Sequence, residues 1–221
     1  MVNVSTDKLL KSLGEYYQKG EYQKGVDTLL QNKSQLDAES FHFYLGNFFL
    51  KKGEIGAGRY NLEKAKLEGF NHSILENNIG FAKSQVVLRD FDGPDNPLGY
   101  LQSKVLSLGG EQILLACLLG LFLTFVLRKI QFIKSKAMVI TLLLLSLLPV
   151  PLKYLYIDKI QFAIVLKSST IHEGPSRIFT KIGELYGGEK LLISDYNEGW
   201  AYVKKPEYLN GWIKLEDLGL Y

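Results

Sequence analysis

The chain has 221 residues, 47% of them apolar, and a formal net charge of +3 at pH 7. This length is enough for more than one compact unit, because domains usually hold about 100–150 residues. Residues 1–105 carry 13 basic and 13 acidic side chains, and residues 163–221 carry 7 and 8, so neither part has the basic excess of a nucleic-acid binder. No HExxH, CxxC or Walker motif occurs in the sequence, so we expect no enzyme activity, catalytic residue, cofactor or metal.

The first 88 residues have a helical pattern that repeats every 33 to 34 residues. The segments YYQKGEYQKGVDTLL and FFLKKGEIGAGRYNL each contain an aromatic pair, a basic residue and then Gly-Glu. Gly20 and Gly53 lie 33 residues apart in them, and so do Gly25 and Gly58. This period resembles the tetratricopeptide (TPR) family, whose paired helices stack into an array. We predict two repeats and one further helix at about 73–87.

The TPR resemblance implies a binding surface. In that family the concave face, lined by the first helix of each pair, binds extended peptides or a partner's helix. We expect Asn47 and Arg59 to be polar residues of such a protein-binding groove. We also expect Gly25 and Gly58 to allow two helices to approach closely, because glycine has no side chain to separate them.

Residues 89–110 are interpreted as a linker. The stretch RDFDGPDNPLG is acidic and contains two prolines and two glycines, which end helices and favour turns.

Two apolar runs follow, QILLACLLGLFLTFVL (112–127) and AMVITLLLLSLLPVPL (137–152), and neither contains a charge. As helices each would rise about 24 Å, and snorkelling basic residues at their ends extend them toward the ~30 Å hydrocarbon core of a bilayer. A soluble helix needs a polar stripe, which both runs lack. We therefore predict a transmembrane hairpin over 111–157, with spans at about 112–127 and 137–155. The alternative is a pair of helices buried in a soluble core.

Beyond the hairpin the apolar residues alternate with a period of two, which predicts short strands at FAIVL, EKLLIS, WAYVK and GWIKL. Together with HEGPS and GELYGGEKLLI, these segments resemble the bacterial SH3 (SH3b) family over roughly residues 162–219. The resemblance implies a small all-β barrel over 160–221, with Trp212 filling its interior and a ligand surface at Tyr196, Trp200 and Tyr208. Family patterns carry Asn-Val-Arg before Gly-Pro, whereas this sequence has TIHEGPS, so the family's anionic contact is not expected there.

The fold class is therefore multidomain, in the order TPR repeats, two-helix transmembrane hairpin and SH3b barrel. This order resembles the BatE-type membrane proteins of the bacterial aerotolerance (Bat) operon, and the densest match runs from FYLGNFF to IGFAKSQ. The resemblance implies partners among von Willebrand factor A-type Bat proteins and a MoxR-type ATPase system. It also implies the inner membrane, with both end domains in the periplasm.

The loop at 128–136 carries four basic residues, which favours a cytoplasmic position. An equal number flanks the other ends of the spans, so the family resemblance decides the orientation. The N-terminal MVNVSTDKLLKSLGEYY has no apolar run typical of a signal peptide. Either the true start lies upstream, which we favour, or the topology differs.

From these observations we expect a membrane-anchored scaffold that binds membrane lipid and protein partners through modules on one membrane face. The alternative is a wall-targeting or sensory protein whose SH3b domain binds peptidoglycan. A third class is an accessory to an enzyme whose activity resides in a partner.

Overall fold

The computed structural model describes residues 4–86, 110–155, 161–206 and 209–221. The chain divides into two compact units, of which the first joins Met1–Asp95 to Phe162–Tyr221 and the second is Asn96–Gln161. The sequence predicts separate outer modules, whereas the structure places the N-terminal helices and the C-terminal strands in the same unit. Of the predicted linker, only Gly110 lies within the described residues.

The N-terminal part of the first unit consists of helices joined by short connections, and each helix packs against the next. The helices are α1 (Val4–Lys19), α2 (Tyr22–Gln31), α3 (Ala38–Lys51), α4 (Ile55–Leu67) and α5 (Ser73–Ser84), with a 3₁₀ turn at Lys33–Gln35. Gly20 and Gly53 follow α1 and α3 with φ of +73° and +82°, a conformation that glycine adopts without strain. The repeated Gly-Glu motif therefore ends a helix at the same place in each repeat.

Two apolar clusters hold these helices together, and α3 contributes to both. The first joins α1, α2 and α3 through Leu9, Leu13, Val26, Leu29, Phe41, Leu45 and Phe48. The second joins α3, α4 and α5 through Phe43, Leu62, Ala65, Leu75 and Ile79. The expectation for the glycines is confirmed. A Cβ on Gly25 would lie 2.2 Å from the Phe48 ring, and one on Gly58 would lie 2.5 Å from the Leu50 side chain.

The C-terminal part of the first unit, which we call the β domain, is an antiparallel sheet. Within the described residues it has strands β1 (Gln161–Val165), β2 (Ser169–His172), β3 (Lys181–Leu185), β4 (Lys190–Asn197), β5 (Trp200–Lys205), β6 (Gly211–Lys214) and β7 (Leu218–Leu220). The strand order is β3-β2-β6-β5-β4-β1-β7. Residues of every strand meet in one apolar core, so the sheet curls around that core. The four predicted strands are confirmed, and β2, β3 and β7 are additional.

The prediction that Trp212 fills the interior of the β domain is wrong. In β6 the side chains alternate, so that Ile213 is fully buried in the core and Trp212 lies half-buried on the opposite face. Strand geometry requires this alternation, because neighbouring side chains point to opposite faces of a sheet. Gly211 occupies the other inward position, where a Cβ would lie 2.6 Å from the carbonyl oxygen of His172.

The second unit contains helices α6 (Gly110–Lys129), α7 (Lys136–Leu147) and α8 (Pro149–Leu155). Within the described part of the chain, Gly110–Lys129 and Lys136–Leu155 are long and apolar enough to cross a membrane, each with 20 residues and a mean hydropathy of 2.0. A helix of 20 residues rises about 30 Å, which matches the hydrocarbon core. In their most apolar windows 17% and 0% of the residues are buried, which argues against the alternative of soluble core helices.

The two long apolar segments approach each other at Gly120, where a Cβ would lie 2.8 Å from Cβ of Ser146. Thr124, one turn further along α6, donates its hydroxyl to the carbonyl of Gly120 at 2.8 Å and so needs no other polar partner. In the connection between the segments, Nη1 of Arg128 donates to the carbonyls of Ile133 and Lys134 at 2.9 and 2.8 Å. This cation therefore helps to close the loop between α6 and α7.

Candidate functional site

The outer face of the β domain carries a cleft of about 220 Å³. The pairing of β2, β6 and β5 places His172 beside Trp212, and Trp200 beside Lys214, on this face. The residues that line the cleft are Ser168, Ser169, Thr170, His172, Arg177, Trp200, Lys214 and Asp217. They come from the three strands β2, β5 and β6, from the loops before and after β2 and from the turn after β6.

Aromatic rings form one wall of the cleft and continue beyond it. The rings of His172 and Trp200 meet edge to face, with centroids 5.7 Å apart, and those of Tyr202 and Trp212 do so at 5.3 Å. Both nitrogens of His172 are within hydrogen-bond distance of a partner, 3.0 Å from the carbonyl of Phe179 and 3.0 Å from the Thr170 hydroxyl. The imidazole is therefore fixed on both sides and supports Trp200 at the cleft.

Asp217 is the acidic residue of the cleft, and it is only 5% exposed. The hydroxyl of Ser169 donates to its Oδ2 at 2.6 Å, and Nζ of Lys167 lies 3.0 Å from its Oδ1. The hydrogen bond to Asp217 raises the pKa of Lys167 above its ordinary value. The negative charge of Asp217 is therefore compensated within the protein.

Two basic side chains line the cleft, and they differ in whether an acidic group pairs with them. Nζ of Lys214 donates to Oε1 of Glu216 at 2.8 Å, and this bond lowers the pKa of Glu216. Arg177 is exposed and has neither a hydrogen-bond nor an ion-pair partner among the residues that the structure describes. The cleft therefore has one positive charge that the described part of the protein leaves uncompensated.

Of the residues predicted as the SH3b ligand surface, Tyr196 and Trp200 do not lie together. Trp200 lines the cleft. Tyr196 is 49% exposed, but it pairs with Ala201 and so lies on the face of the β4–β5 hairpin opposite to Trp200. Tyr208 is outside the described residues. Sequence reasoning missed Arg177, Lys214 and Asp217, although the alternation in GWIK places Trp212 and Lys214 on one face.

The predicted groove residue Arg59 lies at an interface between the helices and the β domain. Its side chain is 0% exposed, and its Nη1 donates to the carbonyl oxygen of Gly188 at 2.7 Å. Its Nη2 lies 3.6 Å from Oε1 of Glu63, one turn later in α4. The structure therefore does not place Arg59 on an open groove, because the β domain covers that face of α4.

Around Arg59, the backbones of α4 and the β domain approach each other closely. A Cβ on Gly56 of α4 would lie 2.2 Å from the carbonyl oxygen of Val165, and one on Gly219 would lie 2.4 Å from the Tyr60 ring. Gly188, with φ of +99°, presents its carbonyl from a conformation that favours glycine. Three glycines from distant parts of the sequence thus let α4 and the β domain meet without intervening side chains.

The other predicted groove residue, Asn47, connects α3 with α5. Its Nδ2 donates to the carbonyl of Phe43 at 2.9 Å, and its Oδ1 accepts from Nδ2 of Asn78 at 2.6 Å. The amide nitrogen is therefore engaged within α3, and the amide oxygen joins α3 to α5. Within the described residues, no group of three or more His, Cys, Asp or Glu side chains could hold a metal ion.

No protein-family model matches this chain, and neither the curated proteins nor the solved structures include a significant match.

Proposed function

We propose that this protein is a membrane-anchored scaffold whose helical array and β domain act as one binding body on one side of a membrane. The observation that carries the proposal is the buried bond between Arg59 and Gly188, residues on opposite sides of the hairpin in sequence. The chain leaves the first unit before two membrane-length segments and returns to it after them. An even number of crossings is required for that return.

In this proposal the helices form a TPR array, the β domain is a bacterial SH3 barrel and the protein is BatE-like. Protein partners of the von Willebrand factor A and MoxR ATPase systems would assemble on it in an envelope complex for stress or oxygen tolerance. The inner membrane would hold the hairpin, with the binding body in the periplasm and the basic loop in the cytoplasm. Partner binding in this proposal is supported by the outer face of the β domain, where the half-buried Trp200 lines a polar cleft.

The topology is tested by labelling single cysteines in whole cells, in a background with Cys117 replaced by serine. Suitable exposed positions are Lys11 in α1, Ser135 in the basic loop and Asn197 at the β4–β5 turn. A membrane-impermeant maleimide should label K11C and N197C alike, and S135C only after the membrane is opened. If all three positions react on the same side, the hairpin does not cross.

Partner binding is tested in the full chain, because a deletion of either part of the binding body would expose the face that the other part covers. Crosslinking from intact membranes is compared between wild type, W200A and a matched Y17A variant of an exposed tyrosine in α1. W200A should lose defined crosslinked partners that Y17A retains. An unchanged set of partners in W200A would contradict binding through this face.

The polar lining of the cleft also favours a second candidate, in which the β domain binds peptidoglycan. Purified sacculi would then sediment the detergent-solubilised full chain at high salt, and W200A would remain in the supernatant. If neither protein sediments, the wall-binding candidate is excluded and the scaffold proposal is unaffected.

A further inference from the structure

We propose that the cleft of the β domain binds the C-terminal residue of a partner polypeptide through its free carboxylate, with Arg177 as the recognition residue. This inference rests on the proposed scaffold function, for which it names the chemistry that a partner presents. The ligand class follows from the size and the charge of the cleft and from the aromatic side chain of Trp200 in its lining.

The size of the cleft limits its occupant to a small part of a larger ligand. Its volume of about 220 Å³ lies below the roughly 300–1,000 Å³ of pockets that enclose a whole small molecule. A chain end fits this description, because one terminal residue enters while the preceding residues stay outside.

The charge of the cleft favours a single carboxylate. Asp217 is compensated by Lys167, and Lys214 is engaged by Glu216, which leaves the guanidinium of Arg177 to attract an anion. A guanidinium binds a carboxylate through two parallel hydrogen bonds. The nearby carboxylate of Asp217, even when paired, opposes a doubly charged group such as a phosphate.

The cleft also offers an apolar contact. Trp200 is one of its lining residues, and Ile178, which follows the lining residue Arg177 in sequence, is 94% exposed. A C-terminal residue carries its carboxylate and its side chain on the same carbon, so it can contact Arg177 and these apolar groups at once. An internal aspartate presents the carboxylate without that second group.

The test uses the full chain in lipid nanodiscs and the fluorescence of Trp200. The protein has two tryptophans, so W212F leaves Trp200 as the reporter beside the cleft. The probes are acetyl-Gly-Gly-Leu with a free C-terminal carboxylate and the same peptide as its C-terminal amide. We expect saturable binding of the acid and an affinity for the amide that is weaker by about tenfold or more, as for loss of a charge-assisted hydrogen bond.

Two variants in the W212F background locate the recognition group. R177Q should weaken binding of the acid by about tenfold or more, whereas K181Q should bind within about twofold of the parent protein. Both remove one positive charge, but Lys181 pairs with Glu184 and does not line the cleft. Far-UV circular dichroism of each variant establishes that it is folded.

The proposal is overturned if the acid does not bind, if acid and amide bind equally, or if R177Q binds like K181Q. Those outcomes leave the topology and the crosslinked partners untouched, so they separate failure of the carboxylate site from failure of the scaffold function. If cysteine labelling showed that the hairpin does not cross the membrane, the scaffold proposal would be overturned. The peptide titration would then still test the carboxylate site independently.

Discussion

The guanidinium of Arg59 and the carbonyl oxygen of Gly188 are 2.7 Å apart, although 129 residues separate them in the sequence. The bond is buried, and it joins helix α4 to the turn before strand β4. An unpaired buried charge or carbonyl is costly, because neither water nor another group replaces the lost partner. The helices and the β domain are therefore coupled in stability.

Replacing Arg59 with methionine tests this coupling. The change leaves the Gly188 carbonyl without its donor and Glu63 without its cation, so we expect R59M to lose roughly 3–5 kcal/mol of unfolding free energy. Unfolding is followed by far-UV circular dichroism, which reports mainly the helices, and by tryptophan fluorescence, which reports the β domain. Both signals should shift together to lower denaturant concentration.

The matched control is K66M, which removes an exposed cation of the same helix. Lys66 is 51% exposed and pairs with Glu76, so the loss should stay within about 1 kcal/mol. If R59M and K66M had equal effects, the buried bond would not couple the two parts.

Adding one methyl group at Gly56 should separate α4 from the β domain. The new Cβ would lie 2.2 and 2.3 Å from the carbonyl oxygens of Val165 and Leu166, which are backbone atoms that cannot rotate away. We expect G56A to lose about 1–3 kcal/mol and to increase proteolysis at the interface. G80A in α5 is the control, because nothing lies within 4 Å of its Cβ, and alanine should stabilise that helix by about 0.5–1 kcal/mol. Equal stability of the two variants would contradict the close approach.

Asp37 caps the N-terminus of α3 by accepting a hydrogen bond from the backbone N–H of Ser40 at 2.7 Å. This bond lowers the pKa of Asp37 below its ordinary value of 3.8. The stabilisation is therefore present above pH 3.8 and is lost as the pH falls through the lower folded pKa. At neutral pH we expect D37A to lose about 1 kcal/mol and D37N to lose much less, since asparagine also caps helices.

The measurement is the unfolding free energy of wild type, D37A and D37N at neutral and at strongly acidic pH. The difference between wild type and D37A should shrink as the carboxylate becomes protonated. A difference that is the same at both pH values would show that the charge of Asp37 makes no contribution to the cap.

We expect His42 to make the stability of the helical array sensitive to mild acid. Burial lowers its pKa below the ordinary value of 6.5, partly opposed by a hydrogen bond in which its Nδ1 donates to Oδ1 of Asn61 at 2.9 Å. The folded protein therefore favours the neutral ring. Its contribution to stability is present above pH 6.5 and is lost as the pH falls from there through the folded pKa.

We expect H42Q to lose less stability than wild type when the pH is lowered from about 7.5 to about 5.5, because glutamine does not titrate in that range. Denaturant unfolding at the two pH values measures the difference. The other two histidines remain in both proteins, so their effects cancel in the comparison. Parallel losses in wild type and H42Q would exclude His42 as the source.

Local periodicity was enough to predict much of the fold. The helical pattern of the first 88 residues predicted helices there, and alternation located β1, β4, β5 and β6. Uninterrupted apolar runs identified two segments of membrane length. Each of these features depends on residues that are close in sequence, so helix, strand and bilayer geometry act on them directly.

Only the tertiary structure decided which of these pieces share a core and which surfaces remain open. It buried Arg59 under the β domain, turned Trp212 outward and assembled the cleft from Arg177, Trp200 and Asp217. These outcomes depend on contacts between residues tens to more than a hundred positions apart. The side chains and spacing of α4 would be the same whether its face were open or covered. The face is covered because Gly188 and Gly219, which are distant in sequence, bring the backbone of the β domain against α4.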